Sequence, residues 1–432
     1  MVAVTLLAGC SPTSSNGGGS GDGPVTLTVQ QQTNQENLFG FVAKEFKKKY
    51  PNVTVKLETV SQDQKNGSNL AVLGSSSPPD VGMIPINSEV YTQLTAANAL
   101  VPLTDVWKTD SLQERYGDAV ANSLLVKNVP YTATFTTVIY NVLWYNPDIF
   151  KKVGLAEPKD HRIQSVDELI ADAKALRAAG YGPLQIGGSS GYHASWMVDA
   201  LLPTSVSSDS MTNYLQSYDP SVGVTAKYTD PAFVNVLSTL ERYRTSGVYQ
   251  DGFLGQDAAT AIAPFHRGKA GMAIGGNFDT AGFDQEKITF TPGWALFPSI
   301  DGGTPTQLSL YSGDAVGIPA KSDAIPWAKK FIAFLMSDDM QKRAIVDTAG
   351  LLPAVNTVSG DSLKDLPDLT QQLVAEVSKD GGQPGWTSTV PGGFGQQYID
   401  PLLQKMYGGS LSPQRLAEQQ QAHLEEFRKK GS

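Results

Sequence analysis

A strand–helix–strand unit is predicted near the start of the chain from its hydrophobic pattern. Residues 25–29 alternate hydrophobic and polar side chains with a period of two, which predicts a strand. Residues 39–46 repeat their hydrophobic positions at helical spacing, and Pro51 ends this helix. Residues 53–57 alternate again. A strand, an amphipathic helix and a strand within about 35 residues are typical of a βαβ unit, so we expect a parallel sheet.

A second α/β segment is predicted further along the chain. Residues 136–145 are aromatic and β-branched, as in strands, and Pro147 begins a helix. Residues 165–168 fit a capping box, and the apolar face that follows runs to Gly180, a C-terminal glycine. Further helices are expected at residues 69–73, 233–243, 327–336 and 411–427.

The ends of two predicted strands indicate where a site would lie. Residues 78–84 read as a proline stop followed by a short buried strand. In open α/β sheets, ligands bind beyond the carboxyl ends of strands. The loops after Val29 and Ile84 are therefore candidate site loops, with ordinary connecting loops as the alternative.

Length and composition indicate a multi-lobed globular protein. The chain has 432 residues, too many for one ordinary core, which favours two or three domains. Hydrophobic residues make up 41% and charged residues 17%, with 42 glycines and 26 prolines. This composition excludes a coiled coil, a collagen-like fibre and a charge-rich disordered chain.

Charge and motif content exclude several function classes. The net charge is −9, so no general cationic field exists to attract nucleic acid. No run of about 20 apolar residues occurs that could span a bilayer. The four histidines are scattered, and no zinc motif, P-loop or dinucleotide fingerprint is present. We therefore expect no metal and no cofactor.

The first residues resemble an export signal. The single cysteine, Cys10, ends the sequence Leu-Ala-Gly-Cys after an apolar run, which resembles the lipobox of bacterial lipoproteins. Residues 1–10 are interpreted as a signal remnant and lipobox with Cys10 as the lipidated residue, and the true start is expected upstream because basic residues are missing. Residues 11–23 have the Ser- and Gly-rich composition of a flexible tether. A chance cysteine is the alternative.

One motif raises an enzymatic alternative. Residues 187–191 fit the nucleophile-elbow pattern Gly-x-Ser-x-Gly, which would make Ser189 the nucleophile of a serine hydrolase. A triad in this chain order needs a later acidic residue and then a histidine. Only His266 and His423 meet that order, and neither lies in a segment suited to a triad. We favour a glycine-rich turn whose backbone and hydroxyl groups hydrogen-bond a ligand.

A series of short motifs runs through nearly the whole chain. They are FKKKYPNVTV at 46–55, PDV at 79–81, LVPLTD at 100–105, LWYNPDIF at 143–150, SVDEL at 165–169, FHRGKAGM at 265–272, FP at 297–298 and GLLP at 350–353. In this order and behind a lipobox, they resemble the extracellular solute-binding proteins of ABC importers, family one, whose members bind carbohydrates.

The resemblance implies an architecture and a role. The fold would be α/β and two-lobed, of the periplasmic-binding-protein (Venus-flytrap) type, each lobe a sheet flanked by helices. Lobe one would comprise residues 24–137 plus 298–338, and lobe two 138–297 plus 339–432. The protein would be a monomeric, non-enzymatic receptor, anchored to the outer face of the bacterial cytoplasmic membrane, at the cell surface or in the periplasm. It would capture a sugar or oligosaccharide by lobe closure and deliver it to the permease subunits of an ABC transporter.

Site residues follow from the resemblance and from sugar chemistry. Sugars need aromatic planes for their C–H faces and polar side chains for their hydroxyls. The candidates are Gln32, Glu36, Asp80, Asn87, His193, Trp196, Asn277, Phe278, Asp279, Asp314, Trp386 and Phe394. Asp80 has a strand-positioning role as its alternative, and Trp196 a place in the core. The family commonly ends its first strand with Trp, whereas in this chain Val29 is followed by three glutamines, residues 30–32.

Two alternatives stay open within the binding class. The same scaffold could bind a peptide, a polyamine or an anion, although the candidate loops offer few convergent carboxylates or basic residues. A sensory or adhesive lipoprotein could also use the fold without transport.

Overall fold

The structure, a computed structural model, describes residues 23–33, 35–86, 88–285, 288–390 and 394–430. It contains both strands and helices. The strands are β1 (Val25–Gln32), β2 (Val53–Val60), β3 (Gly82–Ile84), β4 (Leu125–Val126), β5 (Val129–Pro130), β6 (Thr132–Thr134), β7 (Thr136–Tyr145), β8 (Gly182–Gln185), β9 (Ala270–Gly276), β10 (Gly293–Ala295), β11 (Leu308–Ser312), β12 (Ala315–Gly317), β13 (Leu352–Pro353) and β14 (Gly382–Pro384).

Helices are distributed along the chain between these strands. They are α1 (Glu36–Lys49), α2 (Gln62–Asn66), α3 (Asn69–Leu73), α4 (Glu89–Ala96), α5 (Thr104–Thr109), α6 (Leu112–Tyr116), α7 (Asp118–Ser123), α8 (Pro147–Val153), α9 (Val166–Ala178), α10 (Gly191–Ser205), α11 (Ser208–Gln216), α12 (Pro231–Thr245), α13 (Ala258–His266), α14 (Thr280–Gln285), α15 (Ile325–Leu335), α16 (Asp338–Met340), α17 (Asp368–Asp380), α18 (Trp386–Thr389), α19 (Gln396–Tyr407) and α20 (Pro413–Lys430), with a π-helix at Gln341–Thr348. Short 3₁₀ turns lie at Lys159–His161, Phe253–Gly255, Asn277–Asp279, Ile300–Gly302 and Gly360–Leu363.

The small sheet begins with the predicted βαβ unit. β1 and β2 pair in parallel over their whole length, from Val25 opposite Val53 to Gln32 opposite Val60. Between them, α1 buries Phe39, Val42 and Phe46 and leaves its lysines outside. The parallel βαβ prediction is therefore confirmed.

Three more strands complete the small sheet. A parallel bridge between Val29 and Val81 brings β1 beside β3. β12 then pairs antiparallel with both β3 and β6. The strands accordingly lie in the order β2-β1-β3-β12-β6, although β3 and β12 are far apart in the chain.

The large sheet is built around β7. Its order is β14-β11-β7-β9-β8, and β10 and β13 also pair with β7. The register of β7 with β9 shifts at Asn141, a buried residue with φ 64° that forms a β-bulge. Helices α10, α12 and α19 pack together over this sheet.

The two sheets with their helices give the two-lobed α/β fold that the sequence predicts. The chain crosses from the small to the large sheet between β6 and β7, and back between β11 and β12. The lobe boundaries stay a prediction. β11 lies within the residues predicted for lobe one and pairs antiparallel with β7 of the large sheet.

The expected helices are present, at α3, α12, α15 and α20. None of the helices in the described part of the chain combines the length and the apolar character that crossing a membrane requires.

Candidate functional site

The two chain crossings lie side by side and are tied together by hydrogen bonds. The backbone N–H of Asp314 donates to the Thr136 hydroxyl at 2.9 Å, and that of Gly313 donates to the Thr136 carbonyl at 2.8 Å. The Thr134 hydroxyl donates to the Asp314 carbonyl at 3.1 Å. A Cβ on Gly313 would lie 2.3 Å from the Thr136 hydroxyl oxygen, so glycine permits this close approach. We call this region the junction.

A polar network lies on the small-sheet side of the junction. The Lys65 ammonium contacts the Asp314 carboxylate at 2.5 Å and donates to the Gln32 side chain at 2.8 Å. The Gln35 amide donates to the other Asp314 oxygen at 2.6 Å. Lys65 is buried, so its charge is compensated by Asp314. The predicted residues Gln32 and Asp314 thus meet here, together with Gln35 and Lys65. We call these four residues the polar network.

An aromatic cluster lies on the large-sheet side. It consists of Tyr140, Tyr192, His193, Trp196, Phe278 and Tyr311. The Trp196 ring is central, with centroid distances of 5.1 Å to Tyr140, 4.8 Å to His193 and 5.8 Å to Phe278. Tyr311 packs on Tyr140 at 5.4 Å. Such tilted and edge-on packing is favourable between aromatic rings.

Phe278 presents its ring to solvent beside this cluster. Its exposed fraction is 38%, and among the described residues only Val72, at 44%, is another large hydrophobic side chain counted as exposed. Trp196 behind it is nearly buried. Phe278 therefore offers an apolar face that no part of the described chain covers.

The aromatic cluster and the polar network are neighbours. Tyr311 stands three residues before Asp314, at the end of β11. The pKa of the Tyr311 phenol is raised mainly by burial, and the nearby Asp314 carboxylate and Tyr192 raise it further. The cluster thus occupies the end of the large sheet that faces the small sheet.

Helix α10 positions three of the aromatic residues. It begins at Gly191. A Cβ at this position would lie 2.5 Å from the Asp400 side chain, so any larger residue would force the helix start or Asp400 to move. The backbone N–H of Gly187 donates to Nδ1 of His193 at 3.0 Å. Burial lowers the pKa of His193 to about 4, although a hydrogen bond to the Ile274 backbone opposes this shift. His193 is therefore neutral at pH 7.

A buried carboxylate supports the aromatic cluster from behind. Asp199 of α10 accepts hydrogen bonds from the Tyr140 hydroxyl at 2.8 Å and from the Thr387 backbone and hydroxyl at 2.8 and 2.5 Å. Burial raises the pKa of Asp199 to about 6 despite these hydrogen bonds. Since Tyr140 contacts both Trp196 and Tyr311, Asp199 helps to fix the positions of those rings.

The turn that carries Phe278 is fixed by its two neighbours. Asn277 is buried, and its side-chain oxygen accepts a hydrogen bond from the Ile139 backbone at 3.0 Å. Asp279 accepts from the Trp144 indole and from the Gly276 backbone, both at 2.9 Å. These two predicted residues thus hold the turn in place.

Acidic side chains from both lobes approach each other at the mouth of this region. The pKa of Asp63 in α2 is raised, first by burial and then by the nearby Asp257 carboxylate, which precedes α13. A hydrogen bond with the Ser190 hydroxyl opposes this shift. The Ser190 hydroxyl also accepts from the Ala258 backbone at 3.2 Å. The small-sheet lobe therefore reaches the start of α10 in the other lobe.

Three predicted residues lie away from this site, and a fourth, Glu36, directly follows Gln35 of the polar network. Asp80 is buried in lobe one, where its carboxylate accepts from the Thr28 backbone at 2.8 Å and the Ser322 hydroxyl at 2.7 Å. This is the strand-positioning role. Trp386 and Phe394 have no exposed surface and pack against Tyr228 in the large-lobe core, at 5.3 and 5.7 Å. Glu36 is exposed at the first turn of α1.

Several predictions concern residues outside the described part of the chain. They are Asn87, the signal remnant and lipobox at residues 1–10 with the lipidation candidate Cys10, and residues 11–22 of the tether. Among the described residues, no group of three or more His, Cys, Asp or Glu side chains is arranged to hold a metal ion.

Comparison with known proteins identifies the family. The model of the bacterial extracellular solute-binding proteins matches residues 32–342, which is more than half of the chain. The chain belongs to this family. The predicted family is therefore confirmed. Its members are extracellular binding proteins of transporters rather than enzymes, which agrees with the prediction of a non-enzymatic receptor.

Individual relatives agree with this assignment. An uncharacterized ABC transporter extracellular-binding protein of Pyrococcus horikoshii is 26% identical over 315 residues, which cover 71% of this chain and 66% of that relative. The match thus spans slightly less than two thirds of the relative's length.

Solved structures share the fold of this solute-binding protein. A chitin oligosaccharide binding protein superposes with a TM-score of 0.76 at 21% identity, covering 95% of this chain and 100% of that one. A protein from a study of xylan utilization by Caldanaerobius polysaccharolyticus superposes with a TM-score of 0.78 at 20% identity, covering 92% and 99%.

The serine-hydrolase alternative finds no support in this solute-binding protein. Ser189 is exposed in the turn before α10, and no histidine of the described chain hydrogen-bonds its hydroxyl. His266 packs its ring on Phe283 at 5.4 Å, and His423 stacks on Phe394 at 5.9 Å. Neither is placed as a general base for Ser189.

The sequence does not predict five residues of the site: Tyr140, Tyr192, Tyr311, Gln35 and Lys65. Tyr192 directly precedes His193, and Tyr311 lies three residues before Asp314, so both adjoin predicted positions. Lys65 gives no such signal, because its role depends on the folding of α2 against the end of β1.

Proposed function

We propose that this chain captures a sugar or oligosaccharide between its two lobes and delivers it to the permease of an ABC importer. The observation that carries this proposal is the exposed Phe278 ring in an aromatic cluster that adjoins a polar network at the junction. Apolar sugar faces would stack on Phe278, and sugar hydroxyls would exchange hydrogen bonds with Gln32 and its neighbours. The chitin oligosaccharide binding protein that shares the fold supports the same ligand class.

The charge around the site favours a neutral ligand over an anion. Asp314 compensates Lys65, the one cation of the polar network, while Asp63 and Asp257 add negative charge at the mouth. An acidic solute would approach carboxylates without a matching cation. This supports neutral sugars, and it keeps a polyamine as the rival to include in a screen.

Lipid anchoring through Cys10 is the second part of the proposal. It rests on the Leu-Ala-Gly-Cys motif and on the extracellular family, and it predicts that cells incorporate labelled palmitate into the wild-type chain. Replacement Cys10→Ala should abolish the label and release the protein from the membrane fraction. Labelling that persists in Cys10→Ala would contradict the anchor.

A thermal-shift screen tests the ligand. The full chain with Cys10→Ser would be heated with chitin, xylan and malto-oligosaccharides, and with peptides, spermidine and sulfate as controls. A ligand at about a thousand times its Kd stabilises the folded protein by about 4 kcal/mol, a shift of several degrees. A shift with spermidine or a peptide and with no sugar would contradict the carbohydrate assignment.

Replacement of Phe278 tests the site itself. Phe278→Ala should weaken sugar binding about tenfold or more, because a stacked ring contributes roughly 1–2 kcal/mol. Val72→Ala, at the other exposed large hydrophobic residue, is the matched control and should bind like the wild type. Isothermal calorimetry that gives equal affinity for the two variants would exclude Phe278 from the site.

A further inference from the structure

A basic surface lies on lobe one, far from the candidate site. Lys44, Lys47, Lys48 and Lys49 are exposed on α1, and Lys330 is exposed on α15. Among the described residues, only Lys48 of these five forms an ion pair, with Glu45 at 2.5 Å. Glu45 also pairs with Arg343 at 3.1 Å, so these lysines leave an excess of positive charge on a chain whose net charge is −9.

Two half-buried aromatic rings lie among these lysines. Tyr50 and Trp327 pack edge to face with centroids 5.4 Å apart. The Lys330 ammonium lies 4.0 Å from the Trp327 ring centroid, and the Lys49 ammonium 5.7 Å from that of Tyr50. Tryptophan, tyrosine and lysine together are typical of surfaces at the membrane–water interface. We call the five lysines with Tyr50 and Trp327 the basic patch.

The basic patch adjoins the point where the described chain begins. The Asn52 side chain donates to the Gly23 carbonyl at 3.2 Å, and the Val25 backbone donates to the Asn52 carbonyl at 2.9 Å. Asn52 is two residues beyond Tyr50. Twelve residues separate Cys10 from Gly23, and even a fully extended chain of that length spans at most roughly 45 Å. An anchored Cys10 would therefore keep the basic patch close to the membrane.

We propose that the basic patch docks on the anionic phospholipid headgroups of the membrane that holds the anchor. Opposite charge provides the attraction, and a polybasic surface is the kind of second signal that strengthens a lipid anchor. The proposal rests on the proposed lipid anchor for its geometry. The electrostatic attraction that it invokes depends only on the basic patch.

Docking would give the receptor a defined orientation. β1 runs from Val25 near the basic patch to Gln32 in the polar network, eight residues that span about 26 Å. The candidate site therefore lies at the opposite end of lobe one. In the docked state the site would face away from the bilayer, towards arriving solute, and the receptor must leave this state to meet the permease.

Vesicle sedimentation tests the patch without the anchor. The full chain with Cys10→Ser would be mixed with phosphatidylcholine vesicles containing about a third phosphatidylglycerol, and with pure phosphatidylcholine vesicles. We expect binding only to the anionic vesicles and its loss at about 1 M salt, where the Debye length falls to roughly 3 Å. Lys47→Glu, Lys49→Glu and Lys330→Glu together should weaken it on the order of a hundredfold or more.

The control carries the same change of net charge elsewhere. Lys151→Glu, Lys174→Glu and Lys405→Glu replace exposed lysines of the large-sheet lobe and should leave vesicle binding within a few-fold of wild type. Equal loss in both triple variants, or no binding by the parent chain, would overturn the proposal. If the protein sediments only with vesicles that contain the permease, the proposal is also overturned, because the partner is then a protein rather than the lipid headgroups. Sugar-induced thermal shifts of the same variants show separately whether the ligand site is intact.

Discussion

At the scale of single residues, burial decides which groups can respond to pH. Asp199 and His193 both lie within the aromatic region and both have shifted pKa values, to about 6 and about 4. Each shift favours the neutral form because burial removes the charged form from water. The two residues should therefore influence stability in opposite directions as the pH changes.

Replacement of Asp199 by Asn should reveal its contribution. The folded pKa of about 6 lies above the unfolded value of 3.8, so this group stabilises the fold fully below pH 3.8 and loses that contribution as the pH rises through 6. The free energy of unfolding of the wild type, relative to Asp199→Asn, should thus fall by on the order of 2–3 kcal/mol between pH 4 and pH 7. Urea denaturation at several pH values measures this difference. The contribution of His193 is present in both proteins and cancels in the difference. A difference in the free energy of unfolding that rises with pH would contradict the raised pKa of Asp199.

At the scale of elements, α10 links the core of lobe two to the candidate site. One helix supplies Tyr192, His193 and Trp196 to the aromatic cluster and Asp199 to its support. The sequence predicts His193 and Trp196 as site residues next to the glycine-rich turn at residues 187–191. It does not predict Tyr140 as a partner, because the bulge at Asn141 alters the register of β7 and leaves no periodic signal.

A pair of glycine replacements tests the start of α10. Gly191→Ala should lower the free energy of unfolding by about 1–3 kcal/mol, because the new Cβ would lie 2.5 Å from Asp400. Gly40→Ala, in the middle of α1, has nothing within 4 Å of its Cβ and should raise it by up to about 1 kcal/mol. Thermal denaturation of both variants gives the comparison. A neutral Gly191→Ala would show that the helix start can move.

At the scale of the whole molecule, the predictable part is the architecture and the unpredictable part is the detail of the site. The βαβ unit, the two sheets and the family follow from periodic patterns and ordered motifs. Trp386 and Phe394 show the limit: the sequence predicts both as aromatic residues that contact the ligand, but Tyr228 and its neighbours enclose them. Whether an aromatic ring in a loop is covered depends on residues that are distant in the chain, which no local pattern contains.

Closure of the lobes should be visible in solution. If a sugar contacts both the aromatic cluster and the polar network, it stabilises the closed state by its difference in affinity between the two states. Small-angle X-ray scattering should then show a smaller radius of gyration at saturating sugar than without it. Phe278→Ala at the same sugar concentration should shift less. An unchanged radius in a protein that clearly binds sugar would contradict closure by ligand.

The interleaving of the two sheets also dictates an order of folding. The edge of β3 is completed only by β12, whose first residue follows Ile84 by 315 − 84 = 231 positions. A chain that emerges from the ribosome or a translocation channel N-terminus first therefore exposes that edge until about three quarters of it has appeared. Contacts between such distant segments slow folding because a long loop must close before they form. Slow acquisition of the native state is what a secreted polypeptide needs, since it must pass through a narrow channel before it becomes compact.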